Sequence, residues 1–212
     1  MFTDRAEAGR ELAEALRDRV GADAVVLAIP RGGVVVGEVV ARELGLALDV
    51  VIPRKIRAPD NPELGLGAIA PGVRVLDDRL VQMLGVSREY LEQEIEAEEA
   101  EIERRQLAYR GDHPPVDVRG RTAVVVDDGI ATGGTMAAAL RWARAAGAAR
   151  VILAVPVAPP AALPRMSKEA DELVVLETPE PFYAVGQWYR HFDQNSDREV
   201  VDALARAAEG GS

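Results

Sequence analysis

The chain contains no cysteine. That excludes a disulfide frame, a thiol nucleophile and a thiolate metal site. Its two histidines, His113 and His191, stand far apart and form no metal-spaced pair. Cations are outnumbered: 25 Lys and Arg against 35 Asp and Glu give a net charge of −10. That balance argues against broad binding to nucleic acid or to an anionic membrane. A small anion is not excluded, because it feels a local loop rather than the global sum. No apolar run reaches the ~20 residues that span a bilayer. The first twenty residues are charged throughout, so no signal peptide and a cytoplasmic location are expected. What remains is ordinary globular composition, 48% hydrophobic and 28% charged over 212 residues, enough for one domain with a real core.

The chain is organised around one run, from Arg121 to Met136. Thr122 to Val126 is apolar and β-branched, as suits a buried parallel strand. Asp127 and Asp128 follow at its carboxyl end. Then comes Gly129-Ile130-Ala131-Thr132-Gly133-Gly134-Thr135, and an Ala-rich helix is expected from Met136 to Ala146. Glycines let the backbone approach an anion closely. The threonines add hydroxyl donors, and a helix start favours negative charge. Two aspartates beside such a cradle would repel a phosphate, but they would accept hydrogen bonds from a sugar diol. The ligand implied is a phosphorylated sugar. No Lys follows Gly134, so this is not a P-loop, and the dinucleotide-binding GxGxxG is absent too.

Val124 to Met136 resembles the phosphoribosyl-pyrophosphate (PRPP) signature of the type I phosphoribosyltransferases. The resemblance implies that Asp127 and Asp128 hold the ribose hydroxyls. It implies that Ala131, Thr132, Gly133, Gly134 and Thr135 hold the 5-phosphate. It also implies an α/β fold, a doubly wound and mainly parallel sheet flanked by helices, with a small C-terminal hood. Mg²⁺ would be the cofactor, with no direct protein ligand. A nucleobase-like acceptor and a homodimer are the expected partners.

The rest of the chain is read in that light. Phe2 to Val20 is predicted as an amphipathic helix that covers the sheet, and Ala24 to Ile29 as a buried strand. Pro30-Arg31-Gly32-Gly33 then repeats the pattern of strand, glycine loop and helix. A guanidinium suits phosphate oxygens. By resemblance Arg31, Gly32 and Gly33 bind pyrophosphate, with the bond before Arg31 the candidate for a cis peptide. Leu48 to Ile52 is a third predicted strand. Residues 53–67, rich in proline and cations, are predicted as a long mobile loop. Lys55 and Arg54 resemble the basic pair of a catalytic lid that closes on PRPP, with Arg57 in support.

Ala68 to Leu76 is predicted as a hairpin turning at Pro71-Gly72. A helical insertion is expected over 77–110, its acidic run a solvated face. The core would end near residue 176, after strands at 150–157 and 172–176 and a helix at 161–170 between them. The tail, 177–212, concentrates the few aromatics and would form the hood, with Phe182 or Tyr183 stacking on a base and a closing helix from Asp197.

Three departures leave the acceptor open. Ala131 replaces the aspartate of hypoxanthine-type enzymes, the strand ending at Val157 supplies no Lys, and Arg190 sits where their hood carries an acid. The reading is Mg²⁺-dependent phosphoribosyl transfer from PRPP. The rival is a PRPP-sensing regulator on the same fold.

Overall fold

The structure is a computed structural model that describes residues 1–111 and 113–210. In chain order its elements are α1 (Arg5–Leu16), β1 (Val25–Ala28), α2 (Gly32–Leu44), β2 (Ala47–Val50), β3 (Arg54–Ala58), β4 (Asn61–Ala70), β5 (Val73–Leu76), α3 (Asp78–Met83), α4 (Arg88–Arg110), β6 (Thr122–Val126), α5 (Gly134–Ala145), β7 (Arg150–Val157), α6 (Leu163–Met166), β8 (Glu172–Glu177) and α7 (Asp197–Gly210). Strands β2-β1-β6-β7-β8, in that order, form a five-stranded sheet in which every pairing is parallel.

Side-chain alternation along these strands separates two cores. Val26, Ala28, Val124, Val126, Ile152 and Ala154 face Leu12 of α1 and Val36 and Val40 of α2. Val25, Leu27, Ala123, Val125, Val151 and Leu153 face Met136 and Leu140 of α5. Both faces are covered, so the strands read as continuous apolar runs. Close packing sets the helix spacing: a Cβ on Gly37 of α2 would come 2.8 Å from the Ala28 Cβ, and one on Gly9 of α1 would come 2.8 Å from the Val39 Cβ.

The chain winds outward from the middle in both directions. From β1 it passes through α2 to β2, and from β6 it passes through α5 to β7. β1 and β6 are hydrogen-bonded neighbours in register, Ala28 opposite Val126. Their carboxyl ends therefore meet at the point where the strand order reverses, and open α/β sheets hold their ligand crevice there.

The mobile loop predicted over 53–67 is instead two strands. β3 pairs antiparallel with β4, and β4 with β5, around the turn at Pro71-Gly72. Prolines and cations concealed the strand pattern, but Ile56, Ala58, Leu66 and Ile69 are buried on one side of the sheet and Ala68 on the other. This small sheet packs through Ala68, Ala70 and Val75 on Ala138 and Trp142 of α5. The expected solvated face of α4 also needs correction at one position. Glu98 is buried, with its side chain 7% exposed, and takes ion pairs from Arg54 and Arg57. The helix predicted over 161–170 shortens to a single 3-10 turn and α6. At the far edge, Asp49 of β2 accepts from Arg110 Nε at 2.8 Å and from the Val116 N–H at 2.9 Å.

The tail threads back to the start of the chain. The Phe2 N–H donates to the Trp188 carbonyl at 2.8 Å, and the N–H groups of Arg190 and His191 donate to the carbonyls of Phe2 and Thr3 at 2.9 Å each. No helix among the described residues is long and apolar enough to cross a membrane.

Candidate functional site

β6 ends by delivering Asp127 and Asp128 at the crevice. The Asp127 carboxylate accepts the N–H of Asp128 at 2.8 Å, which fixes the turn out of the strand. Ile130 then docks on the next strand, its N–H donating to the Val157 carbonyl at 2.9 Å. From there the chain swings to Gly133, whose φ of 79° suits glycine, and enters α5. No side chain caps α5, so its first N–H groups point outward unclaimed by a capping group. Asp127, Ile130, Ala131, Thr132, Gly133 and Thr135 line a hollow of about 160 Å³ here, closed on one side by Val185 of the tail. A Cβ on Gly134 would meet nothing within 4 Å.

The second glycine loop faces the same acids. The Pro30–Arg31 peptide is cis. Arg31 precedes α2, again without a side-chain cap, and its guanidinium lies 3.8 Å from Asp197 at the start of α7. A Cβ on Gly32 would fall 1.9 Å from Asp128 Oδ2, and one on Gly33 would fall 2.8 Å from Asp127 Cα. Only glycine permits this approach, so two loops distant in sequence close on one pair of carboxyls.

Those carboxyls are unlike each other. Burial, and then the adjacent Asp128 charge, push the Asp127 carboxyl well above the usual carboxylate range. Burial raises Asp128 too, but a hydrogen bond and the charge of Arg5 oppose it. Arg5 Nε donates to Asp128 Oδ2 at 2.7 Å, and Tyr189 Oη donates to the Asp128 carbonyl at 2.6 Å. Burial, followed by the Asp128 charge, raises the Tyr189 hydroxyl above its ordinary value.

The other expected site residues make contacts of their own. Arg54 and Arg57 lie against Glu98 of α4. Lys55 lies across Gly65 on the neighbouring strand, where a Cβ would come 2.8 Å from its Cε. Phe182 is half-buried and stacks on Trp188 with ring centres 6.3 Å apart. Tyr183 is 79% exposed. Arg5 and Tyr189 were missed. Arg5 carried a readable signal, since it falls on the buried stripe of α1 with Ala8, Leu12 and Leu16, and a buried arginine needs an anionic partner.

Known proteins resemble this chain in sequence and fold. The phosphoribosyl transferase domain family model matches residues 2–187. A Mycobacterium tuberculosis H37Rv protein, named provisionally as a phosphoribosyl transferase, is 46% identical over 208 residues. Those residues are 98% of this chain and 47% of that protein. The chain thus spans about half the length of the curated relatives it matches. The crystal structure of TT1426 from Thermus thermophilus superposes with a TM-score of 0.83 at 43% identity, covering 97% of this chain and 98% of that one. A ribose-phosphate pyrophosphokinase of Pyrococcus furiosus is 43% identical over 65 residues, 30% of this chain and 23% of that protein. With a family match over nearly its whole length, the chain belongs to the phosphoribosyl transferase domain family.

Proposed function

We propose that the protein transfers the 5-phosphoribosyl group of PRPP to a nucleobase or similar nitrogen acceptor and releases pyrophosphate. The observation that most supports this is the convergence of two uncapped helix starts, at Arg31 and Gly133, on the Asp127–Asp128 pair. In this reading Ala131 to Thr135 receive the 5-phosphate through backbone N–H groups and the two threonine hydroxyls. Asp127 and Asp128 orient the ribose hydroxyls. Arg31, Gly32 and Gly33 receive the pyrophosphate. The C1–O bond breaks with its electron pair leaving on pyrophosphate, and the acceptor nitrogen supplies the pair for the new C1–N bond. The proton on that nitrogen passes to water, because no general base is assigned. Positioning and leaving-group stabilisation carry the rate.

Among the described residues no group of three or more His, Asp or Glu side chains gathers to hold a metal. Mg²⁺ remains the proposed cofactor, with no protein side chain assigned to hold it; bound with the ligand, it would supply Lewis-acid stabilisation of the leaving group. Phe182 and Tyr183 remain the proposed base contacts, with the exposed Tyr183 ring the one available to stack.

One observation favours a second reading. Arg54, a proposed lid cation, is held by buried Glu98, an arrangement that suits a PRPP-binding regulator with little catalysis. Incubation with PRPP and Mg²⁺, with and without a panel of purines and pyrimidines, separates the two when pyrophosphate is measured. Release dependent on one base is the expected result. PRPP binding without release from any base would support the regulator, and absence of PRPP binding would overturn both.

A further inference from the structure

Arg5 has no part in that reading, yet it is paired with one of the site's two acids. Its guanidinium makes three contacts. Nε donates to Asp128 Oδ2 at 2.7 Å, and Nη1 donates to the Asp193 carbonyl at 2.8 Å. The central carbon lies 3.9 Å from the centre of the Phe192 ring, a cation–π distance. The residue is 9% exposed. A Cβ on Gly32 would come 2.9 Å from Arg5 Nε, so the pair abuts the loop assigned to pyrophosphate.

The segment that supplies Phe192 and Asp193 grips the same aspartate from its other end. Tyr189 holds the Asp128 carbonyl, and its ring packs on Phe192 with centres 5.1 Å apart. That segment is in turn hydrogen-bonded to Phe2 and Thr3, just before Arg5. Asp128 is therefore fixed at its carboxylate by Arg5 and at its backbone by Tyr189, and both anchors belong to one unit.

We infer that Arg5 is a positioning residue of the sugar site, holding the Asp128 carboxylate toward the ribose hydroxyls and tying its orientation to the aromatic segment 188–193. The inference rests on the phosphoribosyl reading of the site. Arg5 engages one carboxylate oxygen, Oδ2, and leaves the other to turn toward a hydroxyl. Without the guanidinium, two half-buried acids would stand together beside a polyanionic ligand, and Asp128 would lose its paired cation. Because Phe192 and Asp193 complete the cation's shell, displacing that segment would shift Arg5 and hence the acid. An acceptor seated on the tail would thereby influence how the sugar is held.

The test is the preference for ribose 5-phosphate over 2-deoxyribose 5-phosphate. It is measured by calorimetry on the wild type, Arg5→Met, Arg5→Lys and Phe192→Leu, with thermal unfolding to verify folding. The wild type should prefer the diol. Arg5→Met should lose on the order of tenfold or more of that preference, and Arg5→Lys should recover part of it. Phe192→Leu, which keeps every charge, should lose a few-fold. A folded Arg5→Met protein with the full preference would overturn the inference and leave the phosphoribosyl reading standing. A wild type without the preference would overturn both. If Arg5→Met does not fold, an unchanged ratio in the other two variants is the overturning result.

Discussion

Setting aside the single turn of α6, helices α1, α3, α4 and α7 each begin on a side chain that accepts a first-turn N–H, whereas α2 and α5 do not. Asp4 takes the N–H of Glu7 at 2.8 Å, Asp77 that of Leu80 at 3.1 Å, Ser87 that of Tyr90 at 3.1 Å and Ser196 that of Glu199 at 3.3 Å. Arg31 and Gly133 stand at the corresponding positions of α2 and α5 and cap nothing with their side chains. The capped starts are sealed by the chain itself. The bare starts both open at the reversal point of the sheet, each beside the same two carboxyls. Orphan donors are tolerated where a ligand can satisfy them, so the difference separates groups committed to the fold from groups held for a bound anion.

Substitutions on each side should therefore behave differently. The largest effect is expected on the committed side. Glu98→Ala removes the buried partner of Arg54 and Arg57, and the uncompensated guanidinium should cost about 3–5 kcal/mol of stability in chemical denaturation. Affinity for PRPP in the surviving folded fraction should change little, and a large loss there would return Arg54 to the site. On the ligand side, Gly32→Ala drives a methyl into Asp128 Oδ2. Overpacking of ~1–3 kcal/mol should appear chiefly as weakened PRPP binding in a titration; unchanged binding would detach Gly32 from the site.

Ser87→Ala sharpens the contrast from the other direction, since losing that cap should cost about 1 kcal/mol of stability with no change in PRPP affinity. The smallest effect concerns Tyr109, which donates to Asp197 at the start of α7 at 2.7 Å. Burial first, and that hydrogen bond second, push its hydroxyl up to about 12. An unfolded tyrosine ionises near pH 10, so its contribution is complete below that pH and is lost as the pH rises from about 10 to about 12. Tyr109→Phe should flatten that alkaline decline in unfolding experiments, and an unchanged slope would assign it elsewhere.

The parts legible in sequence were those whose pattern is local. Thr122 to Val126 reads as a buried strand because both of its faces are covered, and the following acids and glycines sit in the same loop that they occupy in the fold. Ser87 signals the start of α4 by its own hydroxyl. The segment 53–67 reads as a loop because its prolines and cations mask the strand alternation, and because Glu98, which neutralises two of those cations, stands 44 and 41 positions from Arg54 and Arg57. The link between Arg5 and Asp128 spans 123 positions, and reading α1 as a cover for the sheet concealed an arginine on its buried stripe. The two glycine loops were recognised separately, but their approach to the same carboxyls depends on β1 and β6 being neighbours, a fact of topology rather than of motif.

The central claim is that the bare starts of α2 and α5 are two halves of one anion site. The most direct measurement is a titration of the isotope-labelled protein with PRPP and Mg²⁺, following backbone amide shifts. The account predicts that the saturating changes concentrate at residues 31–34 and 131–136, with Asp127 and Asp128 moving at the same midpoint. It is contradicted if those amides stay still while shifts appear at the capped starts of α1, α3 and α4, or if only one of the two loops responds.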